Sequence, residues 1–432
     1  MPNINIYEKD NTGRDVSALT RIFYVGASEV SDTGLTTAKA VKKDFNGCYY
    51  IPAGLSSDEI DAYLTALFPD IKKEKTVGEK PNQKVETIIT IPVERPLLKE
   101  YLNMGIGIYY KYFAKFPAAS ALAFLKDKNA YDIKYIVTGI DYKGMTLKAA
   151  DSQTTEAADS QTTKAASVEV VNIKALKEIA EARMDCVAFA DVDYSAYAVT
   201  NEDGTAMMQN LKTLLNVTPV PFSSSFCATL IPNIKISDTV TYPASYAYFK
   251  ALYETNKKQI KWLPIAGVNR AAIDATTDCF ISKYILDKEV IKNTGVNFNG
   301  IVDVRNFGNV IWGDRTLLDL GTGESAKLKA TGFLSIRCLV CDIAKIVYDA
   351  SIANTYETNN DTTWINYKSL ITPTLDNAIA AGVLETYDIQ KKVSVEANKI
   401  TCVITLYPNL PVEDFDIYIN LENAEITTSE NE

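Results

Sequence analysis

The chain has 432 residues, 47% of them hydrophobic and 23% charged, with a formal net charge of −10 and no histidine. That length predicts two to four domains at about 150 residues each, in a globular chain with ample material for a core. The acidic balance argues against gripping phosphate backbones, and the missing imidazole excludes Ser-His-Asp and Cys-His catalysis and His-containing zinc sites.

No apolar run approaches the roughly 20 residues needed to span a bilayer, so membrane insertion is not expected. The opening MPNINIYEKD lacks the basic-then-apolar order of a signal peptide, and the expectation is a protein made and folded in a cytoplasm. Seven scattered cysteines, an odd number, are expected to be reduced and mostly buried rather than a disulfide framework.

Residues 3–8, NINIYE, alternate polar and apolar at the period of a strand, but stand alone and need a sheet from elsewhere. RIFYVGASEV, 21–30, is β-rich and closed by Gly26, the pattern of an interior strand. Thr37 to Phe45 and Ser56 to Phe68 then predict helices, the second opening on a Ser-Ser-Asp-Glu N-terminal signal. KVETIITIP, 84–92, alternates as a strand. LLKEYLNM predicts a helix, YYKYFAKF is aromatic-rich, and YDIKYIVTGIDYKGMTLK, 131–148, predicts a strand pair turning at Gly139 and Gly144.

The stretch 151–166 holds one octad twice, DSQTTEAA then DSQTTKAA. Two copies are too few for a solenoid, and alanines alone cannot build a core, so the segment reads as an exposed return linker.

From Val168 helix and strand alternate: a helix over VEVVNIKALKEIAEARM, a strand in DCVAFADV, a helix over AMMQNLKTLLN, a strand in FCATLIP, and a helix over PASYAYFKALYETN. That order predicts an α/β layer with partly parallel strands. The last block carries IVDVRNFGNVIWGDRTL and an apolar run leading into a helix, FLSIRCLVCDIAKIVYDA. A helix over 364–381 ending at Gly382 and the strands of KITCVITLYPNLPVEDFDIYINLE complete it. From Pro411 onward there are seven acidic residues and no Lys or Arg.

Several motifs invite chemistry and do not carry it. Cys338-Leu-Val-Cys341 lacks a second CxxC and lies in the apolar run, where buried structural thiols are expected. Gly321-Thr-Gly323-Glu-Ser-Ala-Lys327 fails the P-loop spacing, because its Lys does not follow the last Gly, and Met104-Gly-Ile-Gly-Ile is weaker still. The carboxylate pairs Asp191/Asp193 and Glu413/Asp414 have no basic or metal-binding company. No catalytic, cofactor-binding or metal residue is therefore assigned.

Asn309-Val-Ile-Trp312-Gly313-Asp314-Arg315-Thr316-Leu317 resembles the "vIWGaRTL" signature of contractile-tail sheath proteins. LDKEVIKNTGVNF (286–298) is similar to that family's "lt..e...Ln..gVN", and FLSIRCLVCDIAKIV (333–347) to its "yinvrRlv..i..si". AAGVLETYDIQ stands in the family's place before the last strands, and Pro411-Val-Glu413 resembles its "yPaE". Upstream, Arg183-Met-Asp185 with Phe189-Ala-Asp191, WLPIAGVNR (262–270) and FYVGAS (23–28) resemble "r.Daia..D", "w.apAG..rG" and "gfVGva". The order is collinear over 168–420. Asp314 departs from the usual small residue, Cys338 stands where a second basic residue is common, and 46–165 has no matching motif.

The resemblance implies a multidomain α+β and α/β fold. Its parts would be an N-terminal arm (1–20), a first core part (21–83), a β-rich outward-facing inserted module (84–167), an α/β sheath domain (168–294), a C-terminal α+β domain (295–410) and a C-terminal arm (411–432). It implies terminal strands exchanged between subunits, carried by Ile4, Ile6 and Tyr7 and by Phe415, Ile417, Tyr418 and Ile419. Trp312 and Arg315, flanked by Gly313 and Thr316, would be structural, a buried aromatic and a pairing Arg. The implied function is a non-enzymatic subunit of a phage tail sheath that polymerises helically around an inner tube and contracts to drive it through a host envelope, with ejection of the genome. The implied partners are further copies, the tube protein, and baseplate and tail-terminator proteins, in a virion tail assembled in the host cytoplasm. The alternatives are the sheath of a tail-like bacteriocin or injection system, another virion protein such as the tube, and a His-free enzyme using carboxylates or a thiol.

Overall fold

The computed structural model describes residues 20–77, 84–138, 145–148, 167–169, 173–193, 198–200, 206–208, 223–237, 240–258, 261–281, 299–318, 330–392 and 399–412. The first half gives β1 (Arg21–Gly26), β2 (Lys42–Lys43), β3 (Tyr49–Ile51), helix α1 (Ser57–Leu67) and a hairpin of β4 (Ile71–Val77) with β5 (Lys84–Thr90). Helix α2 (Glu94–Asn103), β6 (Gly107–Tyr112), β7 (Tyr135–Thr138), α3 (Ile173–Arg183) and β8 (Val187–Phe189) follow. The second half gives β9 (Cys227–Ala228), β10 (Leu230–Ile231), α4 (Ala244–Lys257), β11 (Ala272–Ile273), β12 (Asn299–Val304) and β13 (Gly308–Trp312). It closes with α5 (Leu334–Ala353), α6 (Asp361–Ala380), β14 (Leu384–Lys392) and β15 (Thr401–Pro408).

A central sheet runs in the order β9-β8-β7-β1-β6-β3-β2, parallel from β9 to β6 and antiparallel at the β3 and β2 edge. Its inner strands β1, β7 and β8 are buried almost without interruption because helices cover both faces. Along β1, Ile22 and Tyr24 enter one core with α1, α2 and α4, while Phe23 and Val25 enter the other with α3 and the 3-10 turn at Ala119–Lys126. The interior strand expected at 21–26 is therefore the middle of a three-layer α/β core. A capping box fixes the start of α1: Glu59 accepts from the Ser56 amide at 2.8 Å, and Ser56 Oγ accepts from the Glu59 amide at 3.4 Å.

A second sheet, β10-β12-β13-β11, contains a hairpin of β12 and β13, with positive φ at Asn306 and Gly308 in its turn. A third core joins α5, α6 and the β14–β15 pair through Ile336, Leu339, Ile371, Leu375 and Leu384. Helix α6 stops at Gly382 as its sequence predicts, with φ +71° there and the Val383 amide reaching back to the Ala378 carbonyl at 3.0 Å. No helix among the described residues is long and apolar enough to cross a membrane.

Four expectations change. Thr37 to Phe45 is not a helix; Asn46-Gly47 makes a hairpin turn between β2 and β3, with Gly47 at φ +74° and Asp44 accepting from the Cys48 amide at 2.9 Å. Residues 206–208, expected to open a helix, pair as a strand with 198–200 around a sequence that contains Asp203-Gly204. The helix expected from Val168 starts at Ile173, and Ser167–Glu169 is a strand, as a Val-rich run favours. The strands expected to pair within 131–148 part company: β7 is central to the main sheet, and Met145–Lys148 pairs with Ser167–Glu169 and Val192–Asp193. Within the 84–167 stretch, β6 and β7 are strands of the central sheet, and side chains between Glu94 and Thr138 enter its two cores.

Charged side chains tie α5 to the strand-start edge of the main sheet. Asp132 meets Lys345 at 2.5 Å and also pairs with Arg21, and Asp342 meets Lys134 at 2.7 Å and Trp262 Nε1 at 2.8 Å. Burial alone would push the Asp132 carboxyl up; Lys345 and Arg21 outweigh it and hold the group below its ordinary value. A depressed folded pKa gives stability that is present above the unfolded value, about 3.9 for Asp, and is lost as pH falls through the folded one. Asp132→Asn is therefore expected to lower the urea midpoint at pH 6, with the gap to the parent narrowing as pH falls below about 4, in paired urea titrations.

Candidate functional site, a buried joint at the Trp-Gly-Asp-Arg-Thr segment

The segment after β13 is where the second sheet meets α5. Gly313 sits at φ +110°, and a Cβ there would lie 3.0 Å from Asn299 Oδ1, so only glycine passes this point without displacing the Asn299 side chain. Asn299, at the start of β12 and fully buried, accepts from the Arg315 amide at 2.7 Å. It donates to the carbonyls of Arg315 at 2.8 Å and Thr229 at 3.0 Å. One side chain thereby stitches three segments of backbone.

Asp314 reaches the buried amides at the start of α5 that have no partner within the helix. Its carboxylate accepts from the Ser335 amide at 3.1 Å and the Ser335 hydroxyl at 2.5 Å, and its carbonyl accepts from the Leu334 amide at 2.9 Å. The N-cap position itself, Phe333, has no side-chain cap, so a residue from another part of the chain caps the helix. Thr316 donates to the carbonyls of Thr331 at 3.1 Å and Gly332 at 3.3 Å, and the Arg315 guanidinium lies 4.3 Å from the Phe333 ring centre. Arg337 donates to Ser225 Oγ at 2.6 Å and covers Phe226 at 4.0 Å, and burial pushes its guanidinium below the ordinary value.

The device occurs a second time. Asp191, beyond β8, accepts from the Ser245 amide at 3.2 Å and hydroxyl at 3.0 Å, capping α4. Arg183 and Asp185 form a buried two-point ion pair, at 2.8 Å through Nε and 3.0 Å through the fork, and Arg183 also donates to the Tyr131 carbonyl at 2.9 Å and the Leu125 carbonyl. Glu94 accepts from the amides of Ala27 at 2.9 Å and Ser28 at 2.7 Å and from Tyr110 Oη at 2.6 Å, holding the loop after β1. These carboxylates are committed to main-chain, hydroxyl and guanidinium donors, which fixes the positions of the segments they join.

No protein-family model and no curated protein matches the sequence. Solved structures do. A chain of the anti-feeding prophage baseplate, 6-fold symmetrised, aligns with TM-score 0.58 at 15% identity over 98% of this chain and 99% of that one. A chain of the PVC sheath complex, an extracellular contractile injection system in the contracted state, gives 0.55 at 14% over 98% of each. A chain of the anti-feeding prophage helical sheath in the contracted state gives 0.55 at 15% over 98% of this chain and 99% of that one. The chain has the fold of a contractile sheath protein.

Within this sheath fold the structure brings buried Asp314, Arg315 and Thr316 together at the joint, with Gly313 half-buried beside them. Trp312 differs from expectation. It is only half-buried, at the end of β13, and packs beside the second core cluster. Asn299 and Glu94 had no signal in the sequence; a polar residue opening an apolar strand was the one available hint for Asn299. The arm residues, the Gly321–Lys327 loop, Glu413/Asp414, the duplicated octad and the 286–298 motif lie outside the described residues. Among the described residues, no group of three or more His, Cys, Asp or Glu is placed to hold a metal ion. Gly105, from the second glycine motif, ends α2 at φ +71°.

Asp314→Ala should cost about 1–3 kcal/mol, as expected for an uncapped buried helix start, while Asp314→Asn keeps one carbonyl oxygen to accept from the Ser335 amide and costs less. Urea unfolding of the pair of variants measures both. Burial pushes the thiols up, Cys338 to about 11 and Cys186 to about 12, so the thiolate fraction at pH 8 is small. Six of the seven cysteines are buried and Cys402 is half-exposed. Ellman labelling at pH 8 should stop near one thiol until urea is added, with Cys402 modified first; a fast-reacting buried cysteine would contradict this.

Proposed function

We propose that the chain is the repeating subunit of a contractile sheath that polymerises helically around an inner tube, is seated on a baseplate, and shortens to drive the tube into a target cell. The observation that carries this is the alignment over 98% of the chain with 99% of a chain from a helical sheath. The work is mechanical, not catalytic, and asks for a subunit that moves as a body. Segments far apart in sequence are pinned in the right way for that by buried hydrogen bonds from Asn299, Asp314, Asp191 and Glu94.

Subunits would be linked by arms. The β14–β15 pair has neither outer edge paired with another described strand, and such edges accept an added strand. We assign Ile4, Ile6 and Tyr7 to an N-terminal arm and Phe415, Ile417, Tyr418 and Ile419 to a C-terminal one, each adding to a neighbouring copy. Trp312, Gly313, Arg315 and Thr316 keep the C-terminal domain in place inside each copy. A tube protein and a tail terminator complete the set of partners. The compared assemblies bear the names of an injection system and an anti-feeding prophage, so we read an injection particle first and a phage tail with genome ejection second. Electron microscopy of the whole particle separates the two by the presence of a DNA-filled head.

Purified protein is expected to form rods or tubes by negative-stain microscopy, and removal of residues 1–10 to abolish them while circular dichroism still reports a folded chain. A monodisperse monomer at high concentration, indifferent to that deletion, would sink the reading.

A further inference from the structure

We propose that the β4–β5 hairpin is a second docking element, one that engages another copy of this chain apart from the terminal arms; the proposal rests on the sheath reading. The hairpin stands as a two-stranded sheet of seven-residue strands, and no other described strand pairs with either edge. An isolated strand pair is marginal in water unless something packs on it. Around it lie Ile71, Ile88, Ile89, Ile91 and Val93, each between 44% and 58% exposed. This is the densest run of exposed aliphatic side chains in the described sequence, and single scattered ones would need no explanation.

Register adds a second observation. Lys72 stands directly across from Ile89 and Lys73 across from Ile88, and consecutive pairs point to opposite faces. Both faces of the hairpin thus offer an isoleucine beside a lysine, which suits an element inserted between surfaces more than one laid on a single surface. Its root is held. Arg95 pairs with Asp70 at 2.8 Å and donates to the Phe68 carbonyl at 3.0 Å, so the residues flanking the two strands are clamped to each other.

Charge selects the occupant. Residues 71–90 hold 5 of the 44 basic and 3 of the 54 acidic residues, so this stretch is +2 while the rest of the chain is −12. A second hairpin is disfavoured by like charge; the acidic body of another copy is complementary. The contact is then between different surfaces of the two copies, and contacts of that kind propagate into rings or helices rather than closed pairs. Lysines would steer the encounter and the isoleucines would supply the area that leaves water.

Two full-length double variants test this, Lys72→Glu with Lys73→Glu, and Ile88→Ser with Ile89→Ser, assembled beside the parent and followed by light scattering and sedimentation. The lysine variant should assemble about tenfold more slowly at about 0.05 M salt, with the gap narrowing at about 0.5 M as screening increases. The isoleucine variant should leave more protein in the supernatant at both. Unchanged dichroism and melting of the dissociated variants show that folding is not the cause. Assembly of both variants at the parental rate and extent overturns the proposal while leaving the sheath reading intact. Failure of the parent itself to assemble overturns the sheath reading, and the hairpin proposal falls with it.

Discussion

The carboxylate of Asp314 at the start of α5 is the contact on which the rest of the arrangement depends. Helix α5 belongs to two cores at once. Leu334, Cys338 and Cys341 pack into the first core with α4 and the main sheet, while Ile336, Leu339 and Ile343 pack into the third with α6 and β14. A helix shared in this way joins α6 and the β14–β15 pair to the main-sheet core. Phe333 cannot satisfy the amides of the helix's first turn, so the turn waits on a carboxylate delivered by the β13 segment.

That delivery has its own requirements. The chain must turn at Gly313 with a backbone conformation open to glycine, and Asn299 must occupy the space a Cβ would take. Asp191 on α4 and Glu94 on the loop after β1 repeat the logic with other elements. Buried polar groups of this kind cost desolvation and return it only when every partner is present, which makes the arrangement all-or-none. For a subunit proposed to pass between two lattices, that is the useful property: motion is confined to contacts between copies while the interior keeps its geometry. Beside the packing of Cys338 and Cys341, α5 is tied to the main sheet by the partly exposed ion pairs of Lys345 with Asp132 and Asp342 with Lys134, which contribute little each and weaken with salt.

Much of the fold was legible in the sequence. The apolar strands at 21–26 and 187–189, the helix start at Ser56 and the helix stop at Gly382 all follow from local pattern and turn chemistry. The misreadings have a common origin. The Thr37 to Phe45 stretch has the spacing of a helix, but Asn46-Gly47 is a stronger local instruction. Strands at 135–138 and 145–148 look like a hairpin by spacing, yet the first is uniformly buried and suits a parallel interior.

By itself the sequence excluded histidine chemistry and carried a family resemblance. It has no histidine, a net charge of −10 and scattered cysteines, and its Trp-Gly-Asp-Arg-Thr segment among ordered motifs resembles contractile-tail sheath proteins, whose fold the chain has. Only the tertiary structure decided what the key residues do. Asp314 and Asp191 read as unremarkable acids in a string of letters, because a helix cap supplied from a distant segment has no spacing rule; the separations of 21 and 54 residues to Ser335 and Ser245 are set by the fold and by nothing local. Asn299 is hidden for the same reason: its value lies in three carbonyl and amide groups that only packing brings within reach.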